Sequence, residues 1–335
     1  MIKLKKTIRI QAVLIAALGF FILTGGTAYA QSGTKTVFRF LEVPSSPRTA
    51  ALGSYSVSHP ASGISQFFDN PAYPGVRDHR TFSASYINLI HDVNMYFTSG
   101  AWHFDGIGTL GAGIRYMSYG RFDETDEQGN ILSEFSAYDF ALSTGLSREM
   151  MTGLQAGAAI HFIQSSYAAY NSTAVAFSAG AYWNSPDGFN SAGVTIQHLG
   201  TQVTKFDEVR EPLPFDLRAG FTRRLENLPL RLSLTFHNLT RWQIPNANDI
   251  EEPGFFGTLM RHTTIGGEFL FSENVNLRLG YNHLQNAELK SRSRLDTSGF
   301  SYGLGIKYKS ITFDVSRNSF SDLGGVTRIG ITAAL

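Results

Sequence analysis

The stretch that decides the fold class is Leu230-Arg-Leu-Ser-Leu-Thr-Phe-His237. Apolar residues occupy every second position, and polar residues fill the positions between them. Since successive side chains of a β-strand point to opposite faces, this period-two alternation predicts a strand that separates an apolar environment from a polar one. The same alternation recurs in residues 275–282 and 300–308, and again in the last residues of the chain, 325–335.

About fourteen such segments follow one another from Arg80 to the end of the chain. Their lengths suit transmembrane strands of roughly 9–11 residues with extensions beyond the bilayer, and an even number suits a closed antiparallel bacterial barrel. The pattern therefore predicts an all-β fold, a transmembrane antiparallel β-barrel of about 14 strands. We place the strands at 80–89, 93–105, 107–119, 134–148, 151–165, 170–184, 190–200, 213–224, 228–238, 262–272, 274–286, 297–308, 310–318 and 325–335.

The lengths of the connections give an independent argument for a membrane barrel. Links after even-numbered strands are short, whereas four links after odd-numbered strands are long and polar: 120–133, 201–212, 239–261 and 285–296. Outer-membrane barrels have short periplasmic turns and long external loops. The alternative, a soluble propeller or jelly roll, gives no reason for this segregation, and no repeated motif of a propeller is visible.

Composition narrows the class further. Glycine accounts for 33 of 335 residues, aromatic residues for 13% and charged residues for only 16%, against about a quarter charged in soluble domains. The absence of cysteine excludes disulfides and a lipid anchor. A formal net charge of +1 gives no electrostatic reason to expect nucleic acid as a partner.

The first 79 residues divide into two further parts. Residues 1–30 show a basic start, an apolar run of about a dozen residues and an Ala28-Tyr-Ala30 site, the layout of a cleaved signal peptide. Residues 31–79 are rich in proline, which breaks strands, and they precede the barrel at 80–335. We expect them to form an N-terminal plug inside the barrel rather than a periplasmic tail, with Phe67, Phe68, Asp69, Asn70 and Pro71 as plug residues.

Three short motifs resemble a known family. They are Ser46-Pro-Arg-Thr-Ala-Ala-Leu-Gly53, Phe68-Asp-Asn-Pro-Ala72 and Tyr119-Gly-Arg-Phe-Asp123. They resemble the PorV/PorQ family of type IX secretion, which belongs to the FadL-like class of fourteen-stranded barrels with an N-terminal plug, and the PorQ-like members look closer. Gly53-Ser54 departs from the paired glycines that are more usual in that family.

The resemblance implies a non-enzymatic role. Such a barrel would anchor a partner in the cell-surface attachment complex of type IX secretion: a PorZ-type protein, with a PorV/PorU-type module as a further candidate. The alternative is a FadL-like transporter of hydrophobic small molecules across the outer membrane, and a third reading is a barrel without ligand or client. An inward kink of a strand beside the plug would favour the transporter.

Motifs for catalysis or metal binding are weak. Ser32-Gly-Thr-Lys35 matches S-x-x-K but lies just after the cleavage site, and no S-D-N or K-T-G follows it. No H-E-x-x-H motif is present. The acidic residues of 123–127 suit calcium or a solvated loop, and we favour the solvated loop. We therefore expect no enzyme activity, no cofactor and no metal.

Two sets of polar residues are candidates for interaction. Charged residues of both signs fall on the inner face, where we expect them to pair and to hold the plug. The 239–261 loop is the best candidate partner surface, through Arg241, Trp242, Asp249, Phe255 and Phe256, or else the same aromatics fold inward to cap the pore. Lys290, Arg292 and Arg294 could contact lipopolysaccharide phosphates or an acidic partner, or simply be solvated.

Overall fold

The computed structural model shows a closed antiparallel barrel of fourteen strands, in which every strand pairs with its neighbours in sequence. It describes residues 36–60, 63–89, 92–126, 128, 130–206, 210–246, 249, 253–289, 296–320 and 324–335. The predicted signal peptide at 1–30 lies outside the described residues. Closure is made by β1 and β14, which pair from Thr81–Ala334 to Asn88–Thr327.

All fourteen predicted segments form strands, so the predicted fold class is confirmed. Their bounds are β1 (Thr81–Asn88), β2 (Asn94–Phe104), β3 (Gly108–Thr125), β4 (Ile131–Met151), β5 (Leu154–Tyr167), β6 (Tyr170–Asn184), β7 (Asn190–Thr204), β8 (Asp216–Arg224), β9 (Leu230–Phe236), β10 (Thr263–Leu270), β11 (Val275–Asn282), β12 (Phe300–Tyr308), β13 (Ile311–Ser319) and β14 (Gly325–Ala334).

The alternation of the sequence becomes an apolar outside and a largely polar inside. On β9, Leu232 and Leu234 are exposed on the outer face, whereas Ser233 and Thr235 are buried on the inner face. Four neighbouring strands carry a ladder of tyrosine rings, with ring centroids 5.3 to 6.3 Å apart, made by Tyr86, Tyr96, Tyr116 and Tyr138. Such aromatic girdles mark the interfaces of a transmembrane barrel.

The two ends of the barrel differ in their connections. We call the end with the links after odd-numbered strands the loop end and the opposite end the turn end. The three longest links, 205–215, 237–262 and 283–299, all lie at the loop end, as the sequence predicted. Two of them contain short helices, α2 (Phe255–Arg261) and α3 (His283–Leu289), which the strand pattern did not indicate.

The predicted loop at 120–133 is wrong. β3 continues to Thr125 and β4 begins at Ile131, so a two-stranded ribbon rises beyond the loop end of the barrel. The Phe122 and Phe135 rings stack across it with centroids 5.4 Å apart. Cross-strand aromatic pairs stabilise such ribbons. The acidic residues between Phe122 and Phe135 break the alternation of apolar and polar residues, so the sequence pattern indicated a loop instead of two strands.

Among the described residues, no helix is both long enough and apolar enough to cross a membrane.

Candidate functional site

The N-terminal segment, residues 36–80, contacts the inner face of the barrel. It consists mostly of turns, with one short helix, α1 (Pro47–Ala51). The helix begins at Pro47, because proline suits its first turn and the Ser46 hydroxyl accepts the Thr49 backbone N–H at 3.1 Å. This segment and the inner wall that it contacts make the candidate site, because buried charged and aromatic side chains meet there.

A belt of inward-facing glycines receives the segment. An added Cβ at Gly193 would lie 1.6 Å from the Val57 carbonyl oxygen, and one at Gly157 would lie 2.2 Å from the Pro71 carbonyl oxygen. Glycine therefore stands where two backbones approach too closely for any side chain. The belt residues in contact with the segment are Gly111, Gly113, Gly157, Gly180, Gly193, Gly220, Gly266, Gly280, Gly303 and Gly330.

The residues expected to form a plug lie along this belt. Phe67 and Phe68 pack against β3, where Gly111 and Gly113 leave room for their rings. The Asn70 amide donates to the Ala181 carbonyl of β6 at 3.3 Å. All of Phe67, Phe68, Asp69 and Asn70 are buried, with 4% exposure or less. The segment thus runs along the wall from β14, at Pro47, around to β3.

One buried carboxylate ties the segment to the wall. Glu268 of β10 is 1% exposed and accepts hydrogen bonds from Arg48 at 2.9 and 3.1 Å, from Arg231 at 2.5 Å and from Arg278 at 2.8 Å. Arg278 also pairs with Asp314 at 2.5 Å. The predicted network of paired inner charges is present here, and Arg48 is the member that the segment contributes.

A second tie lies at β8 and β9. The Tyr55 ring of the segment stacks on His237, with ring centroids 3.9 Å apart. The Arg218 guanidinium also lies over the Tyr55 ring, 4.8 Å from its centroid. Arg218 in turn pairs with Asp216 at 2.5 Å. A cation over an aromatic ring is attracted by the ring's negative face, so both contacts hold the segment through its Tyr55 side chain.

The segment also contains a buried acid. Asp69 accepts the Thr49 hydroxyl at 2.8 Å, and the Asp69 backbone carbonyl accepts the Gln197 side-chain amide of β7 at 2.7 Å. Burial raises the pKa of Asp69 to about 6, although the hydrogen bond from Thr49 and the nearby Arg218 and Arg115 oppose the shift. Its charge therefore changes close to neutral pH.

The inner face is asymmetric in polarity. On the side of β2 to β6 it presents Met95, Phe97, Met117, Ile163 and several alanines, which form one apolar cluster with Phe38, Phe40, Leu41, Phe67 and Phe68 of the segment. Charges and hydroxyls line the side of β8 to β14, and buried polar residues such as Arg115, Asp139 and Ser143 also occur among β2 to β6. An apolar molecule inside the barrel would therefore contact the β2–β6 side.

One arginine lies inside the apolar cluster. Arg115 of β3 is 3% exposed, and its guanidinium lies 4.6 Å from the centroid of the Phe68 ring. It donates to the carbonyl oxygens of Leu41 and Phe68, which are far apart in the sequence. Because these two carbonyls belong to different turns of the segment, Arg115 clamps both turns to β3.

The wall is interrupted between β7 and β8. Among the described residues, β7 pairs with β8 only from Asn190 to Gln197, although it pairs with β6 as far as Thr204. The register between β6 and β7 also shifts, because Gln197 and His198 together face the single residue Ser178. This β-bulge lies where the described pairing with β8 ends. It is a shift of register, and the inward kink of a strand that would favour a transporter stays a prediction.

The linking segment after β7 covers this interruption. Leu213 is buried in the apolar cluster, and the Pro212 carbonyl accepts the Val37 backbone N–H of the N-terminal segment at 3.2 Å. The Gln202 side chain accepts the Glu211 backbone N–H at 2.7 Å. The described residues of the cover are thus held by the Gln202 side chain and by a backbone bond to Val37.

The residues predicted as a partner surface lie together at the loop end. The Trp242 ring packs against Phe255 at a tilt and stacks on His262, with centroids 5.4 and 5.3 Å away. Phe255 and Phe256 are 63% and 78% exposed, so these aromatics do not fold inward as a cap. Asp249 pairs with Arg261, and Arg241 is exposed. Their role in binding stays a prediction.

The acidic loop and the basic cluster that the sequence suggested as binding groups form no site among the described residues. Asp126 accepts the backbone N–H of Asn130 at 2.8 Å and closes a turn. No group of three or more potential metal ligands occurs within the described part of the chain. The basic residues Lys290, Arg292 and Arg294 lie outside the described residues, as do Glu127, Glu251 and Glu252.

Comparison with solved structures identifies the fold. The toluene transporter TbuX of Ralstonia pickettii matches with a TM-score of 0.52 at 11% identity, over 88% of this chain and 98% of that chain. The toluene transporter TodX of Pseudomonas putida matches with 0.53 at 13% identity, over 86% and 96%. The monoaromatic hydrocarbon channel CymD matches with 0.53 at 11% identity, over 88% and 98%.

The chain shares its fold with these hydrocarbon channels. No protein-family model and no curated protein sequence matches the chain. The fourteen-stranded neighbours are transport channels rather than enzymes, and the comparisons give no support for type IX secretion. They contradict the prediction that the chain is an anchor in the type IX attachment complex, which rested on short motifs alone.

Proposed function

We propose that this chain is an outer-membrane channel for hydrophobic small molecules, with the N-terminal segment as its plug and the interruption between β7 and β8 as a lateral passage. The observation that carries the proposal is that interruption. Backbone groups at membrane depth must be paired within the protein, because lipid offers them no partners. Over 198–204, β7 pairs with β6 but with no described residue of β8, and lateral passage into the membrane would give this unpaired edge a function.

The surroundings of the interruption suit an apolar cargo. Leu199 and Val203 are 42% and 60% exposed on β7, and Leu213 of the covering segment belongs to the inner apolar cluster. A molecule that leaves the cluster here would pass from protein to lipid without entering water. Since transfer of apolar surface into water is unfavourable, this route costs less than release along the barrel axis.

The structural neighbours support the same class of cargo. TbuX and TodX are toluene transporters, and CymD is a monoaromatic hydrocarbon channel. The paired inner charges support the proposed plug, because Arg48 and Glu268 hold the segment against the wall. We propose further that the protein is exported by its signal peptide and is not an enzyme. Kinship with the PorV/PorQ family, as PorQ-like, stays a proposal that rests on the three motifs, and its partners are untested.

The test is uptake of a labelled hydrocarbon by Gram-negative cells that lack their own hydrophobic channel. We expect tritiated toluene or p-xylene to enter faster when this protein is in the outer membrane, while entry of a hydrophilic sugar is unchanged. Cells that carry the empty vector give the baseline. Equal hydrocarbon uptake with and without the folded protein would contradict the proposed function.

A further inference from the structure

His198 occupies an unusual position at the interruption in the wall. Its backbone is left-handed, with φ of 55°, a conformation that costs a residue with a Cβ about 1–2 kcal/mol. Because His198 and Gln197 form a bulge, both side chains are buried instead of alternating between the two faces of the strand. The His198 backbone N–H donates to the Ser178 hydroxyl at 3.1 Å. Strained backbone of this kind concentrates at functional sites.

The imidazole of His198 is buried without a hydrogen-bond partner. It is 1% exposed, and neither ring nitrogen makes a hydrogen bond among the described residues. The Pro214 carbonyl of the covering segment faces the ring outside hydrogen-bond geometry. A buried polar group left unpaired costs about 1–3 kcal/mol, so a native structure that keeps one calls for an explanation.

The neighbouring histidine, His161, is buried as well, but both of its ring nitrogens have hydrogen-bond partners. His161 of β5 lies beside His198, with ring centroids 5.4 Å apart. Its two ring nitrogens pair with the hydroxyls of Ser143 at 2.7 Å and of Ser178 at 2.9 Å. Two adjacent histidines share one buried site, and only His198 retains free hydrogen-bonding capacity.

We propose that His198 binds the hydroxyl group of the transported molecule and thereby selects hydrophobic alcohols over plain hydrocarbons. The proposal rests on the proposed function and adds the substrate class. A neutral imidazole presents one donor and one acceptor, which match the acceptor and donor of an alcohol. The apolar cluster of the inner face, which includes Leu213 of the covering segment, would receive the apolar part of the alcohol.

The specificity follows from the unpaired group. A hydrocarbon in the passage leaves the imidazole without a partner, whereas an alcohol satisfies it. Sites built to hydrogen-bond a substrate hydroxyl discriminate against the analogue that lacks it. One net hydrogen bond corresponds to a preference of about 3- to 10-fold.

The experiment compares 1-dodecanol with dodecane in the same cells, as the ratio of their initial uptake rates. His198→Gly removes the imidazole and suits the left-handed backbone, while His198→Asn also suits it and keeps a donor and an acceptor. Lys309→Gly is the matched control, since Lys309 has φ of 54° in a turn at the other end of the barrel. Each variant is first checked for the heat-dependent gel shift of a folded barrel.

We expect His198→Gly to lower the dodecanol-to-dodecane ratio about 3- to 10-fold, His198→Asn to keep it within about twofold, and Lys309→Gly to leave it unchanged. An unchanged ratio in His198→Gly, or an equal fall for both compounds, would overturn the proposal. Equilibrium binding of tritiated 1-dodecanol to the purified protein separates the two claims. If wild-type cells take up neither compound but binding is weakened by His198→Gly, transport fails and the His198 site stands. If wild type binds dodecanol no better than His198→Gly does, the site is refuted.

Discussion

Replacement of Glu268 by glutamine would remove the one carboxylate that three arginines share. Arg48, Arg231 and Arg278 all donate to it within 2.5 to 3.1 Å, and its side chain is only 2% exposed. Removing one partner of a buried ion pair costs about 3–5 kcal/mol, because the remaining charge stays buried and unpaired. At about 2–4 °C per kcal/mol for a chain of this size, the unfolding midpoint should fall by about 6–20 °C.

The assay is the temperature at which the folded barrel loses its fast-migrating form on a gel, measured in one detergent. Glu134→Gln is the control, because Glu134 pairs with Arg121 at 3.8 Å with side chains 60% and 84% exposed, and such surface pairs contribute little. We expect the control to shift the midpoint by less than about 2 °C. A Glu268→Gln midpoint equally close to wild type would refute the claim that this carboxylate holds the segment.

Three further outcomes follow. Gly193→Ala places a methyl group 1.6 Å from the Val57 carbonyl oxygen and should cost at least about 1–3 kcal/mol in urea unfolding. Gly267→Ala, whose methyl group would meet only ordinary contacts at 3.8 and 3.9 Å, should be close to neutral, and equal effects of the two changes would contradict the glycine belt. Because the pKa of Asp69 is raised from 3.8 to about 6, the folded state binds more protons between those values, and the free energy of unfolding should fall by about 3 kcal/mol as pH rises from about 4 to about 6. Asp69→Asn should flatten that pH dependence, and an unchanged slope would show that Asp69 is not its source. Mass spectrometry of the outer-membrane protein should give a chain that starts at Gln31, and an intact Met1 would contradict the predicted cleavage.

The strands were predictable because their environment imposes a strict period of two. Each strand has lipid on one face and the interior on the other, so its sequence must alternate, and all fourteen segments were found. The prediction failed where that constraint ends. The ribbon of Phe122 and Phe135 rises beyond the barrel, where both faces tolerate acidic residues, and α2 and α3 lie in loops without a fixed environment.

The site was only partly predictable. Inner charges could be assigned from alternation, but their grouping around Glu268 depends on strand register and on Arg48, which is 220 residues away in the sequence. The glycine belt did leave a signal in the sequence. Gly220, Gly280 and Gly303 occupy inward positions of strands in which apolar and polar residues alternate. His198 left none, because it lies in a bulge, and a bulge breaks the periodicity on which every other assignment relied.

The measurement that tests the central claim most directly is hydrocarbon uptake by a variant in which a reversible disulfide closes the proposed passage between β7 and β8. The chain has no cysteine, so Gln202→Cys with Glu211→Cys, at positions joined by a hydrogen bond, would tie β7 to the covering segment by a single disulfide. Ser83→Cys with Ser99→Cys, opposite each other on β1 and β2, would tie a continuous part of the wall. We predict that oxidation abolishes p-xylene uptake in the first variant, that dithiothreitol restores it, and that the second variant takes up p-xylene in both states. Undiminished uptake by the oxidised first variant would contradict a lateral passage between β7 and β8.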